Sequence, residues 1–451
     1  LGSYVFVLFV FLSLPLGIMF GSLLGPTVSS IEASKFDTFR LMSYLKPFLI
    51  LVVPNVLFSG AIFFALSSLK RKMIYSYLGS VFLLVIYTFT ITQMANIESK
   101  SLAALVDPFG IASFFIDTEY WTPSEINTLQ VPLSNTLLLN RLLWTSIGII
   151  MFVFTCFKFR MLSVFEKKGK IQKTNSDIEP ELVVIPELPR VNVVSPDKHN
   201  VKNLFSLGWL EFVNTIKEVP FIGIVIAGVL LLLSNVVSIG LMYGTNTYPV
   251  TYNLLEFNSG NFALIIYIII TFYSGEIIWR ERGYNIQQIT DSLPLPNWLI
   301  AGSKIWGMFL ILVFLHIVLL LVNVFTQIGH GFYDFNFPLY FTDLFTLQLP
   351  GYVFIAILAM LIQTFSSNKF VGHVVVMFYY IIFYVAFSLM GIEHYLLKFP
   401  QTPPAPYSDM NGFGHFLTAV RWYQVTWFFF SVVLVTIMIG FWNRGFQLSI
   451  K

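Results

Sequence analysis

The stretch SGEIIWRERGYNIQQITDSLPLPNW, Ser274 to Trp298, lies between two long apolar runs. Glu276, Arg280, Glu281 and Arg282 cluster at its start, and a short polar segment closed by Pro294 and Pro296 follows. Glu276 and Arg280 are four residues apart, so on a helix they share a face and are placed to pair. Charges at the end of an apolar helix either anchor it at a membrane interface by snorkelling or form a clamp with a partner. From Tyr284 to Leu293, Ile286, Ile289 and Leu293 fall on one helical face, and Asn285, Gln287, Gln288, Thr290 and Asp291 occupy the rest. That pattern predicts a short helix lying against a membrane or a protein. The two prolines stop it and restart the chain as an apolar helix at Trp298.

Composition sets the medium. The chain has 451 residues, 56% hydrophobic and 11% charged, with mean hydropathy +0.77. A soluble domain carries about 25% charged residues. The chain is therefore read as an integral membrane protein, and its net charge of +3 gives no argument for a nucleic-acid partner. Its single cysteine, Cys156, excludes an internal disulfide. The chain opens inside an apolar segment without a basic leader, so residue 1 is read as a truncation or processing point.

Apolar runs with at most one charged residue repeatedly reach the length of about 20 residues that a helix needs to cross the hydrocarbon core. They give about ten spans: Leu1 to Leu24, Pro47 to Leu69, Met73 to Met94, Leu137 to Phe157, Pro220 to Tyr243, Gly260 to Trp279, Trp298 to Phe325, Gly351 to Phe365, Phe370 to Met390 and Trp422 to Phe441. Lys70, Arg71, Lys72, the basic segment after Lys158, Arg280, Arg282, Lys369, Arg444 and Lys451 fall on one side. The positive-inside rule makes that side the cytosol and places both chain ends there. Residues 158–208 are polar and rich in prolines, and read as a cytosolic linker between a first membrane half, 1–157, and a second, 209–451. Leu210, Val213, Ile216 and Lys217 then form an amphipathic pattern before Pro220, which predicts either an interfacial helix or an extension of the next span.

The halves rhyme. Lys72 and Lys369 occupy similar places in two hairpins. Each hairpin leads to an external loop with an acidic residue and Phe-Gly, VDPFG at 106–110 and SDMNGFG at 408–414, and then to a last span near an arginine and a tryptophan. Two degenerate copies of one bundle explain this pattern. Asp107, Phe109 and Gly110 in one loop, and Asp409, Asn411, Gly412 and Gly414 in the other, are candidates for either an outer gate or plain architecture.

Other chemistry is sparse. No Gly-rich GK[ST] sequence is present, so a phosphate cradle of that type is lacking. His394 and His415 share one loop with Glu393 and Asp409, but their spacing matches no ordinary metal motif, and hydrogen-bonded loop residues explain them. Asn55, Gln93, Asn140, Asn323 and Gln363 lie inside spans, where such groups meet either a neighbouring helix or a water-filled cleft. The 48 phenylalanines and 21 tyrosines suit an apolar or amphipathic cargo as well as a lipid-facing surface.

The opening stretch resembles the first cytosolic loop of permeases of the type 2 ATP-binding-cassette (ABC-2) exporters. WRERGYNIQQITDSLPLPNWLIAGSK is most similar to the second half of the double-length bacterial permease often fused to a gluzincin-type zinc aminopeptidase. VVPNVLFSGAIFFAL, VDPFG, EYWTPSE, NRLLW, YSDMNGFGHF and FWNRG resemble further patches of that family, covering nearly all the chain apart from the linker. The resemblance implies an all-α polytopic membrane protein of two fused ABC-2-type bundles in a bacterial inner membrane. It also implies cytosolic ATPase subunits as partners, with ATP used by them and no cofactor in this chain. Tyr284, Ile286, Ile289 and Leu293 would contact the ATPase, and Glu276, Arg280, Glu281 and Arg282 would form the clamp. Family members begin with two more spans, which would raise ten to about twelve. In fused members a peptidase follows the last span, but no HExxH occurs in this chain. The competing reading is a membrane anchor or regulator for such a C-terminal soluble domain. An intramembrane enzyme or ion-coupled transporter would need paired ionisable groups near the bilayer centre, and the apolar runs offer none.

Overall fold

A computed structural model describes residues 2–28, 39–70, 74–94, 100–158, 197–239, 248–293 and 295–442. Arg71 and Lys72, most of the linker, Pro294, Arg444 and Lys451 lie outside the described residues. The described residues are helical apart from connecting loops and one isolated bridge, Ser408 to Gly412. They contain nine helices long and apolar enough to cross a membrane, and a tenth if a bent pair is counted as one span. The protein is thus an all-α, multi-pass membrane protein.

The chain divides into two units, Leu1–Ser195 and Pro196–Lys451. In the first, α1 (Gly2–Val28), α2 (Leu41–Pro47), α3 (Val53–Lys70) and α4 (Ile74–Gln93) are followed by three short helices, α5 (Lys100–Val106), α6 (Ile111–Thr118) and α7 (Pro123–Thr128), and by α8 (Asn135–Lys158). α3 packs between α4 and α8. The approach of α8 is close because Gly148 lacks a side chain: a Cβ there would lie 2.7 Å from the Phe58 Cα. Without a hydrophobic drive between helices in lipid, close contact of this kind supplies the association energy.

The second unit begins with α9 (Asp197–Ile216), so the last residues assigned to the linker, 197–208, are helical. α10 (Val219–Ile239) follows, and the axis turns by 69° between Asn200–Ile216 and Val219–Leu233. Pro220 at the start of α10 fits that break, because it cannot donate to a continuing α9. α11 (Thr251–Gly283) and α13 (Asn297–Gly329) have 33 residues each. Each is about 50 Å long and exceeds what a bilayer core needs. The short α12 (Gln287–Asp291) joins them. α14 (Phe337–Phe341), a π-helical turn over Thr342–Gln348 and α15 (Leu349–Phe365) form one apolar rod, followed by α16 (Lys369–Tyr380), a second π turn, α17 (Phe387–Leu389) and α18 (Phe416–Gly440). The span expected at Gly351 therefore starts at Phe337, and the one expected at Gly260 starts at Thr251.

The two units share a local pattern that hydropathy does not reveal. A short helix, a π turn and a helix with proline at its second position occur at α2, Phe48–Val52 and α3, and again at α14, Thr342–Gln348 and α15. A proline inside a helical rod leaves the carbonyl four residues back without its usual donor. For Pro350 that carbonyl belongs to Thr346. Gln424 of α18 supplies the missing donor, its Nε2 lying 2.9 Å from the Thr346 oxygen and 3.1 Å from that of Leu347. α15 packs between α16 and α18 as α3 does between α4 and α8.

Candidate functional site

The end of α11 turns sharply enough to present α12. Asn285 takes a left-handed conformation, φ 57°. Its N–H donates to the Arg282 carbonyl at 3.2 Å, and that of Ile286 reaches back to the Glu281 carbonyl at 3.0 Å. These two bonds close a Schellman end, with asparagine where glycine is usual. The predicted helix from Tyr284 to Leu293 is in fact one turn, Gln287–Asp291, flanked by turns. The capping geometry explains the shortening: Tyr284 and Asn285 belong to the end of α11.

The apolar residues of this segment are not sheltered. Tyr284, Ile286, Ile289 and Leu293 are all exposed, with Ile286 at 42% and Ile289 at 68%. Beside them opens a cleft of about 380 Å³, lined by Tyr284, Ile286 and Leu293 but not by Ile289. Leu207 and Leu210 of α9 and Ile300 of α13 form apolar parts of its wall.

Glu211, Arg280, Glu281 and Lys304 give the cleft a charged side. Arg280 pairs closely with Glu211, donates to Thr215 Oγ1 at 2.9 Å and lies 3.5 Å from Glu218. Lys304, only 2% exposed, donates to both Glu281 oxygens at 2.7 and 2.9 Å and to the Ile277 carbonyl at 2.7 Å, with Glu211 at 3.5 Å. Alternating signs thus run Glu218, Arg280, Glu211, Lys304, Glu281 and tie α9, α11 and α13 together. The close seating of α9 is permitted by two glycines, since a Cβ on Gly208 would be 2.7 Å from the Ser303 carbonyl and one on Gly307 3.1 Å from that of Gly208.

The expected pairing of Glu276 with Arg280 is replaced by two contacts between elements. Glu276 binds Lys369 at the start of α16, 2.7 Å away, and Arg280 turns to α9. Arg282 stands over the Trp279 ring, 4.6 Å from its centre, outside the ion network. Sequence reasoning missed Glu211, Glu218 and Lys304. Glu211 and Glu218 are seven residues apart, two helical turns, and Lys304 opens a long charge-free run. Those were the available signals.

The two candidate outer loops differ. Asp107 is fully buried and accepts from the amides of Phe109 at 2.9 Å and Ala112 at 2.7 Å. It thereby caps α6 and leaves Gly110 free to adopt φ 74°. Asn140 of α8 donates to the carbonyls of Ala104 and Asp107, and Arg141 donates to Asn55 and to the Pro108 carbonyl. Asn55 closes the circuit on the Phe109 carbonyl at 3.1 Å. Phe109 itself packs against Phe58 and Tyr87. Burial pushes the Asp107 carboxyl above its ordinary range, and the amides of Ala112 and Phe109 and the Arg141 guanidinium oppose that push. Asp409 and Asn411, by contrast, lie exposed at a tight turn closed by the bridge between Ser408 and Gly412. Gly412 and Gly414 have φ of 59° and 52°, and only Phe413 is buried.

The polar residues within spans meet protein. Asn323 pairs with Asn258 at 2.6 Å, and Gln363 reaches His373 Nδ1 at 3.0 Å. His394 Nδ1 accepts from the Leu396 amide, and the His415 ring lies 4.2 Å from that of Phe416. Among the described residues no group of three or more His, Cys, Asp or Glu side chains gathers to hold a metal ion. Comparison with family models, with curated proteins and with solved structures returned no match.

Proposed function

We propose that this chain is the membrane permease of an ABC-2-type transporter, moving its substrate, most naturally outward, when a separate cytosolic ATPase binds the α12 end of the second unit. The observation that carries this reading is the exposed row of Tyr284, Ile286, Ile289 and Leu293 on a segment fixed between two 33-residue helices. Exposed apolar residues on a charged, water-facing end favour a protein contact. The ion network ties α9, α11 and α13 together at the end of α11 from which α12 projects, so a partner bound to α12 would act on a stiff base. The partner hydrolyses ATP, and this chain makes and breaks no bonds. The shared π-turn and proline pattern supports two related bundles in one chain, placed in a bacterial inner membrane with both ends cytosolic.

The test is purification of the full-length protein from its native host in mild detergent, followed by mass spectrometry of its partners. An ATPase should co-purify, and Ile286→Glu with Ile289→Glu should lose it while the permease stays intact. Recovery of the same ATPase with that variant would refute the proposed docking face. Absence of any ATPase across mild detergents would favour a membrane anchor for a soluble domain.

A further inference from the structure

At the other end of α11, about 36 Å along the axis from Arg280 to Glu256, lies a second cavity of about 540 Å³. Its volume is within the range of small-molecule sites. Two carboxylates line it, Glu256 of α11 and Asp343 of the π turn before α15. No Lys, Arg or His is among the described residues of its wall.

Asp343 lies within an apolar rod long enough to cross a membrane. An ionisable group in such a segment is costly unless something compensates its charge. Its carboxylate accepts from the Gln348 side chain, whose Nε2 also donates to Ser259 Oγ at 3.0 Å. These are neutral partners, which orient a carboxylate without cancelling it. The π turn sets the position of Asp343 in the wall, and such turns recur at functional sites.

The remaining chemistry is aromatic. Tyr252, Tyr407 and Phe413 form a continuous bank, with ring centres 5.9 Å apart for Tyr252 and Tyr407 and 5.3 Å for Tyr407 and Phe413. Ring faces attract cations whose charge is spread over carbon, and two carboxylates supply the opposite charge. An anion would meet two like charges there, and a neutral ligand would leave the Asp343 carboxylate without an opposite charge.

We propose that this cavity binds a hydrophobic organic cation, of the quaternary ammonium or phosphonium kind. That such a cation is also the cargo rests on the permease reading, whereas its binding does not.

The experiment is equilibrium dialysis of the purified full-length protein in maltoside micelles, without ATPase or nucleotide, with empty micelles subtracted. Tetraphenylphosphonium and tetraphenylborate have nearly the same shape and opposite charge. The phosphonium should bind saturably and the borate should not. Glu256→Gln with Asp343→Asn should weaken the phosphonium by about tenfold or more, and Tyr407→Leu by about threefold. Equal binding of the two ions, or phosphonium binding unchanged in the double variant, would overturn the site. If the double variant fails to fold, Glu256→Gln alone decides: a weakening of about threefold sustains the site, and no change overturns it. Because no ATPase is present, failure here leaves the coupling proposal standing, and failure of coupling leaves this one.

Discussion

At the residue scale the charges near α12 show what a sequence conveys and where it stops. The cluster Glu276 to Arg282 is plain in the sequence, but its pairs are not, because Lys369, Glu211 and Lys304 come from other elements and Arg282 joins none of them. An exposed helical pair is worth only a few tenths of a kcal/mol, so partly buried partners on other elements readily displace it. Lys304 should be the most sensitive member. Lys304→Met leaves Glu281 without its cation, while Glu211 keeps Arg280, and should destabilise the protein by about 3 kcal/mol, with part of that recovered when Glu281→Leu is added. A double-mutant cycle on thermal unfolding reads this directly. Asn285 makes a separate prediction: Asn285→Gly keeps the left-handed turn and should be nearly neutral, whereas Asn285→Val should cost about 1–2 kcal/mol. In the first unit Thr122 and Glu125 form a capping box, and the Thr122 amide and hydroxyl hold the Glu125 carboxyl below its ordinary range. A depressed carboxyl adds order that is present above the ordinary glutamate range and is lost as pH falls through its folded-state value. Backbone amide spectra of α7 should therefore change over that acid window, and Glu125→Gln should remove the dependence.

At the element scale, hydropathy located the spans because a bilayer demands long apolar runs, and it failed at their ends because charged or proline-bearing extensions fall outside an apolar window. α14 illustrates this: Asp343 and Pro350 interrupt the run, while a π turn and Gln424 keep the rod continuous. Asp343 lies in the part of this rod that precedes the span expected from Gly351. The rhyme between VDPFG and SDMNGFG was genuine as sequence and misleading as structure. Asp107 is enclosed by Asn140 and Arg141 of α8, whereas Asp409 stands at the tip of a bridged turn. The loop at 107–110 therefore belongs to the packing of the first unit, and Asp107→Ala should destabilise that unit by about 2–3 kcal/mol while Asp409→Ala is nearly silent. Thermal unfolding of the two variants in detergent separates them. Helix contact is equally specific at Gly148, where Gly148→Leu should force α3 and α8 apart and cost about 1–3 kcal/mol.

At the scale of the whole molecule, the membrane class followed from composition. The cavity near Glu256 and the ion network did not, because each gathers residues from segments far apart in the chain. The architecture of the second unit places the exposed apolar residues around α12 at one end of α11 and an acidic, aromatic cavity at the other. The central claim is that an ATPase grips those exposed residues. The most direct measurement is photo-crosslinking in the native host, with a benzophenone amino acid at Ile289 and a control probe at the exposed, lipid-type position Phe429 of α18. The account predicts an adduct from Ile289 to a nucleotide-binding ATPase and none from Phe429. Adducts at Ile289 with lipid alone, or an ATPase captured equally from both positions, would contradict it.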